Sequence, residues 1–370
     1  MSVTQSTTPR AAGRLSDARG RAVIEAMLVP LGALAASALV FAAFLLAVGQ
    51  NPLTFFGLVW TGGFASAFSF QNSLQRAAPL ILTGLAFAVP ARIGMTLIGA
   101  EGALVLGGFA AAVTGIPLSL GGWSGWAGLP VMAAAAMAVG GAWVGLAGWL
   151  RHYRGVNETI SSLLLSYIAI AIMSFLVEGP LRDPASSNKP STMPLGAEFK
   201  IGAMPGTTVH WGLAAGLVLA VVLWVVMERT TFGFAARMAG GNLRAAQGQG
   251  LPVGRLAVAC CAISGACAGL AGFYEVTAIH GQANASLAAG YGFTGILVAF
   301  LARQNPLAVV PVAILFGGLA ASGGLVQRRM GMPDATMHVL QGVIFVVLLV
   351  SETLYGRIPF LQPPRGGDRT

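Results

Sequence analysis

Lysine is almost missing from this chain. Lys189 and Lys200 are the two it has, and neither follows a glycine or precedes Ser or Thr. A phosphate-cradling P-loop needs that arrangement, so the chain cannot hydrolyse ATP by that route. Charge in general is scarce: 9% of the 370 residues are Asp, Glu, Lys or Arg, against 56% hydrophobic. A soluble domain carries about 25% charged residues, so this chain cannot cover a water-facing surface in the usual way. Its mean hydropathy of +0.77 identifies an integral membrane protein. Cysteine is limited to Cys260, Cys261 and Cys267, all in one apolar run with no histidine near in sequence. That excludes a disulfide framework and a metal site and leaves small apolar side chains. No G-x-S-x-G element is present, and His152, His210, His280 and His338 are scattered without metal-ligand spacing. Each reads as a loop or interfacial residue.

What the chain has in abundance is long apolar runs. A helix needs about 20 apolar residues to cross the hydrocarbon core. That criterion gives ten spans, near 26–49, 78–97, 99–116, 128–150, 158–177, 210–228, 256–275, 288–302, 305–322 and 335–354. The fold class is therefore all-α, a polytopic membrane protein with some interrupted helices. The domain reading is a cytoplasmic tail at 1–25, a single polytopic membrane domain at 26–354 and a cytoplasmic tail at 355–370. The first apolar run exceeds the 7–15 residues of a signal-peptide core, so it is read as an uncleaved span.

Orientation follows from lysine and arginine placement. With the N-terminus inside, 15 of the 21 basic residues face the cytoplasm and 6 face outward, so both termini are expected inside. The net charge of +9 is spread over short loops rather than one patch, which argues against nucleic acid. Two outward segments are long. Gln50 to Ala77 is aromatic and apolar, as expected of chain lying on the membrane surface or against the bundle. Glu178 to Thr208 reads as a solvent loop.

The segment Arg229–Arg255 lies between two apolar runs, carries four arginines and has no acid. Within it, GGNLRAAQGQGL sets Asn242 to cap a short helix, with Ala245 and Ala246 favouring the turn that follows. Gly248, Gly250 and Pro252 end it. A membrane chain without a P-loop needs a separate ATPase for active transport, and a cytoplasmic helix is a place to receive one.

Acids near spans are the other candidates. Glu228 and Glu352, at cytoplasmic span ends, read as solvated, and so does Glu275 near the outer face. Glu158 follows Asn157 at a span start, where a carboxylate favours the helix N-terminus. Glu101 lies among Gly94, Gly99 and Gly102, in a pattern that suggests an interrupted helix. A helix-terminal cap and a pathway residue are equally open readings for it. Two stretches, GLAFAVPARIGMTLIGAEGALVLGG and GLAGFYEVTAIHGQANASLAAGYGFTGILVAF, share an apolar–polar–apolar order. Paired interrupted segments of this kind point to a central translocation site. Small residues at Ala133–Gly148 and Ser264–Gly272 read as close helix packing.

From about Ala78 to Leu354 the chain resembles the permease subunits of bacterial ABC importers, in the branch serving ribose-type simple sugars, nucleosides and branched-chain amino acids. The resemblance rests on RIGMTLIGAEGALVLGG, on NETISSLLLSYIA followed by EGPLRDP, on GGNLRAAQGQGL, and on GFTGILVAFLARQNPLAVVPVAILFGGL. It implies that Gly240, Gly241, Asn242, Leu243, Arg244, Ala245, Ala246 and Gly250 form a coupling helix that docks in a cleft of the ATPase. EGPLRDP looks most like the nucleoside branch. Leu97 and Ala103 stand where relatives have asparagine and glutamine, and Leu243 where proline is common. Glu101, Asn157, Glu158, Ser161 and Phe293 from these stretches are the expected translocation path. The implied partners are an ATP-binding cassette ATPase, a second permease subunit and an extracytoplasmic solute-binding protein. ATP is used by the partner, with no cofactor in this chain, and the implied location is the bacterial inner membrane. The rival expectation is an ion-coupled secondary transporter working through Glu101 or Glu158.

Overall fold

The computed structural model describes residues 31–186 and 188–352, so the two expected tails lie outside the described residues. Thirteen α-helices follow in chain order: α1 (Leu31–Ala47), α2 (Pro52–Gly63), α3 (Ala67–Ala91), α4 (Ala100–Leu120), α5 (Gly125–Arg154), α6 (Glu158–Glu178), α7 (Gly212–Arg229), α8 (Thr231–Gly241), α9 (Leu243–Gly248), α10 (Val253–Tyr274), α11 (Tyr291–Leu301), α12 (Pro306–Met330) and α13 (Ala335–Glu352). No strand occurs among the described residues, which hold two isolated bridges, Ser191 to Asn284 and Ala203 to His210. Among the described residues, seven helices are long and apolar enough to cross a membrane: α3, α4, α5, α6, α7, α10 with its continuation to His280, and α12. Three shorter apolar helices overlap the first, eighth and tenth expected spans.

The chain divides into two compact units. The smaller comprises the residues up to Phe56 and those from Gln327 onward. In it, Phe41 is fully buried and its ring lies 5.2 Å from that of Phe55. Arg328 and Arg329 close the last turn of α12, where positive charge suits the helix dipole.

The larger unit, Gly57–Val326, carries everything that follows. Every residue of α3 from Ala77 to Pro90 is buried, as expected of a helix that is apolar all round and surrounded by others. Helices α4, α5 and α10 pack on glycine. A Cβ on Gly140 would lie 2.4 Å from the Gly265 carbonyl oxygen, one on Gly107 would lie 2.4 Å from the Gly269 Cα, and one on Gly272 would lie 2.0 Å from the Leu104 carbonyl. Association in lipid relies on such close contact because tails are as apolar as leucine. The three cysteines are free and buried in α10.

Two expectations need correction. The second span begins at Ala67 rather than near residue 78, so Arg76 belongs to a helix and not to an outer segment. Ser66 starts it by accepting from the Ser69 N–H, and polar Gln71, Asn72, Gln75 and Arg76 ride on its first turns. Hydropathy alone misses a span whose outer third is polar. The second correction concerns Glu178 to Thr208, which is not a free solvent loop. The Thr192, Leu195 and Ile201 N–H groups donate to the carbonyls of Ala283, Gly281 and Thr277, while Leu195 and Phe199 are buried. In the same segment, its own N–H and the Ser119 hydroxyl hold the Glu198 carboxyl below its ordinary pKa. His210, read as a loop or interfacial residue, lies just past this segment and is buried; burial holds its imidazole below the usual histidine range, and its Nδ1 accepts from the Gly212 N–H.

Candidate functional site

The arginine-rich segment folds as two short helices. Thr230 caps α8 by accepting from Gly233, and α8 runs for eleven residues before Asn242. Asn242 then caps α9, its Oδ1 accepting from the Ala245 N–H at 3.0 Å. Leu251 N donates to Ala246 O and Gly250 N to Gln247 O, a closing turn that puts Gly250 at φ +77°. The sequence indicates α9 and its cap but not α8. Only Ala246 of α9 is buried; Leu243, Arg244 and Ala245 face outward. The two helices thus offer an exposed face, with Phe234, Met238 and Leu243 beside Arg244, on a base fixed to the bundle.

That base is an ionic junction. Glu228, at the end of α7, accepts from Arg92 at 3.1 Å and from Arg237 of α8 at 3.0 Å. Glu228 is therefore paired, not simply solvated. Arg237 also donates to the Met227 carbonyl, and Arg92 Nε donates to the Gln304 carbonyl at 3.3 Å. Gln304 and its neighbour Arg303 hold φ of 57° and 50°, a left-handed turn that non-glycine residues seldom adopt. Gly240 completes the junction, because a Cβ there would lie 2.4 Å from the Arg92 carbonyl oxygen. One carboxylate therefore ties α7 to α8 and to Arg92, and Arg92 bonds in turn to the turn after α11.

Arg92 opens the interruption between α3 and α4. Met95 N donates to Pro90 O and Gly94 N to Ala91 O, with Gly94 at φ +78°, and the chain then runs non-helical to Gly99. Non-helical backbone inside a bundle needs partners for its polar groups. Helix α6 supplies them from one face. Thr159 Oγ1 donates to Thr96 O, Ser162 Oγ accepts from Ile98 N at 2.9 Å, and Ser166 Oγ donates to Ile98 O at 3.0 Å. Thr159, Ser162 and Ser166 were not among the expected site residues, although their spacing of three and four marks one helical face. Ser161, which was, turns its hydroxyl to the Glu158 carbonyl. Asn157 caps α6 at Thr159 and Ile160, and Glu158 pairs with Arg151 at 3.2 Å. A cavity of about 420 Å³ lies here, its wall joining Met95, Arg151 and Glu158 to Gly240, Leu243 and Gln247. The expected path residue Glu158 and the expected coupling residues Gly240 and Leu243 thus meet at one cavity.

Glu101 lies elsewhere. It is 1% exposed, and its two oxygens accept from Gly290 N at 2.7 Å and Gly292 N at 2.6 Å. It is the cap of α11, a helix from the other interrupted stretch, rather than of its own. A carboxylate where two helix N-termini meet neutralises the positive ends of both dipoles. Gly292 allows the approach, since a Cβ there would lie 2.2 Å from the Glu101 nitrogen. Thr83 Oγ1 of α3 donates to Tyr291 O at 3.0 Å. At about 1.5 Å per residue the eleven residues of α11 span roughly half of a ~30 Å hydrocarbon core. The sequence-level echo between the two stretches is thus a physical contact. Phe293, on α11, is partly buried and lines neither described cavity.

At the opposite end a second cavity, of about 490 Å³, is walled by Asn72, Gln75 and Arg76 of α3, by Glu275 and His280, and by Tyr291. Residues Glu275–His280 continue α10 as a π-helical turn, a feature frequent at functional sites. Glu275 was read as solvated, but it is 5% exposed and lies 3.6 Å from His280 Nε2.

Comparison with known proteins finds a family and relatives for this chain. Residues 69–349 match the family described as branched-chain amino acid transport system / permease component. A glucose ABC transporter permease of Haloferax volcanii is 33% identical over 323 residues, covering 83% of each chain. A guanosine ABC transporter permease of Bacillus subtilis is 29% identical, over 88% of this chain and 93% of its own. A nucleoside ABC transporter permease of Lactococcus lactis is 27% identical, over 93% and 96%.

Proposed function

This chain belongs to the branched-chain amino acid transport system permease-component family, and from that premise we propose how it works and what it carries. It is a multi-pass membrane protein and a permease subunit of an ABC importer. The solute in our reading is a nucleoside or simple sugar, as the names of its relatives suggest. Two copies, or this chain and a similar one, enclose the path in the bacterial cytoplasmic membrane. A binding protein delivers solute at the end bearing 179–211, and a separate ATPase docks on α8 and α9 at the cytoplasmic end.

The observation that carries this reading is that the exposed helix α9 stands on a base bonded to the interrupted span. Displacing α8 moves Arg237 and Gly240, and through Glu228 and Arg92 it moves the break at 92–99 and the turn at Gln304. The same break leads into α4 and Glu101, which holds the far end of α11. Helix α11 is thereby gripped at both ends. An ATPase that binds the outward- and inward-open states differently shifts the equilibrium between them. The ion-coupled alternative draws less support, since Glu101 spends both oxygens on amides and Glu158 is paired with Arg151.

The test is ATP-driven uptake and ATPase co-purification in Ala245→Asp, Asn242→Pro and Glu228→Gln. Ala245→Asp and Asn242→Pro are expected to insert normally but lose the ATPase and at least tenfold of uptake. Glu228→Gln is expected to keep the ATPase and lose uptake, because it cuts the relay behind the docking face. Undiminished uptake in all three would overturn the assignment.

A further inference from the structure

The inner end of α5 carries a positive charge that no described residue neutralises. Arg151 pairs there with Glu158 at 3.2 Å, whereas Arg154, the last residue of the helix, has no carboxylate within ion-pair distance among the described residues. Its guanidinium carbon lies instead 5.8 Å from the centre of the Trp149 ring. The Trp149 and Tyr153 rings are 5.8 Å apart, and the His152 ring meets that of Tyr153 edge-on at 4.8 Å. Trp149, Tyr153 and Arg154 are all exposed. We propose that this cluster binds the headgroup of an anionic phospholipid, Arg154 taking the phosphate while the Trp149 and Tyr153 rings lie against the glycerol ester region.

Helix length sets the depth of the cluster. Helix α5 has 30 residues, about 45 Å at 1.5 Å per residue, which matches a bilayer of ~40–45 Å with its headgroups. Trp126 stands at the outer start of the helix, 90% exposed, and about 35 Å separate it from Trp149 along the axis. The two indoles thus bracket a ~30 Å hydrocarbon core, at the levels where tryptophan collects. Arg154 follows about 7 Å further on, inside the headgroup layer. An arginine with no other task extends its charged head to water. This one folds back along the helix over the indole, which keeps its donors at the level of lipid phosphate.

The charge of the cluster suits one kind of lipid. Glu158 offsets Arg151, so Arg154 is the fixed charge left over. A guanidinium only donates hydrogen bonds, in a fork that fits two oxygens of a phosphodiester. Phosphatidylglycerol supplies that phosphate without a cation, whereas phosphatidylcholine brings an ammonium that the guanidinium repels. A soluble phosphate fits the same fork but has no acyl chain to lay along Leu146, which is exposed one turn further into the membrane on the same face. Arg151 and His152 share a cavity wall with Gly240 and Leu243. The choice of cytoplasmic leaflet, where anionic lipid meets basic residues, therefore rests on the reading of α8 and α9 given above. Helix α7 repeats the arrangement, Arg229 lying 5.4 Å from the ring of Trp224 at the same spacing in sequence. There the acid Glu228 adjoins the arginine, so the unopposed charge is the one on α5.

The test is native mass spectrometry of the complete chain with its ATPase, in neutral detergent, titrated with phosphatidylglycerol or phosphatidylcholine of the same acyl chains. The wild type is expected to retain phosphatidylglycerol at least fivefold better. Arg154→Gln is expected to weaken that retention about fivefold, the increment of one basic residue at an anionic surface, and Trp149→Leu to weaken both lipids. Arg328→Gln, which alters an exposed arginine closing α12, is the control and is expected to change nothing. Melting temperature shows whether each variant is folded, and if Arg154→Gln is not, the wild-type preference decides. Equal retention of the two lipids, or an equal loss in Arg154→Gln and Arg328→Gln, overturns the proposal. Displacement of the lipid by inorganic phosphate overturns it in favour of a soluble anion. A chain that purifies without an ATPase yet retains phosphatidylglycerol through Arg154 sinks the permease reading alone.

Discussion

Glu101 shows how far one side chain can matter in an apolar bundle. Its carboxylate meets two N–H groups, of Gly290 and Gly292, at the start of a helix that begins 190 residues later in the chain. Glu101→Ala leaves both donors unpaired, at about 1–3 kcal/mol each. A clear drop in melting temperature of the detergent-solubilised protein is expected, with Glu101→Gln losing about half as much because it keeps one acceptor oxygen. Equal melting of wild type and Glu101→Ala would contradict the capping role. At this scale the sequence was legible where the partner is local. Asn242 caps a helix three residues away, and that bond could be read from NLRAA directly. Glu228 and Glu275 could not be read so, because Arg92 is far away in the chain and because burial of Glu275 depends on helices that pack around it.

At the scale of elements, the interrupted span between α3 and α4 is supported by α6. The residues at 96–102 expose backbone groups that a helix would satisfy internally, and Thr159, Ser162 and Ser166 take them up. The double substitution Ser162→Ala, Ser166→Ala removes acceptors for Ile98 N and Gly102 N in buried surroundings. It is expected to cost roughly 2–4 kcal/mol, and hydrogen exchange of the Ile98 and Gly102 amides should rise. Protection equal to wild type would show that other groups hold the break. Hydropathy located most helices because apolar runs are long and loops short. It misplaced the start of α3, where four polar side chains occupy helical positions, and it missed α8, whose eleven residues fall well short of the about 20 that a span needs. The glycine-rich faces of α5 and α10 were legible, because small residues at helical spacing have few other uses in lipid.

For the whole molecule, the two ends of the larger unit differ in character. One carries an exposed helix pair on an ionic junction, and the other a polar cavity beneath a laced-down outer segment. Between them runs α11, held by Glu101 at one end and by the Arg92 contact to Gln304 at the other. The sequence shows that neither lysine can serve a P-loop. It did not disclose the connection between the ends, which depends on pairings that close only when the helices are packed. The most direct test of that connection is solute uptake by proteoliposomes holding the permease, its ATPase and its binding protein, measured with ATP or with an imposed ion gradient. Uptake that requires ATP at the ATPase face and vanishes in Ala245→Asp is the predicted result. Uptake driven by the gradient without ATP, and abolished by Glu101→Gln, would contradict it.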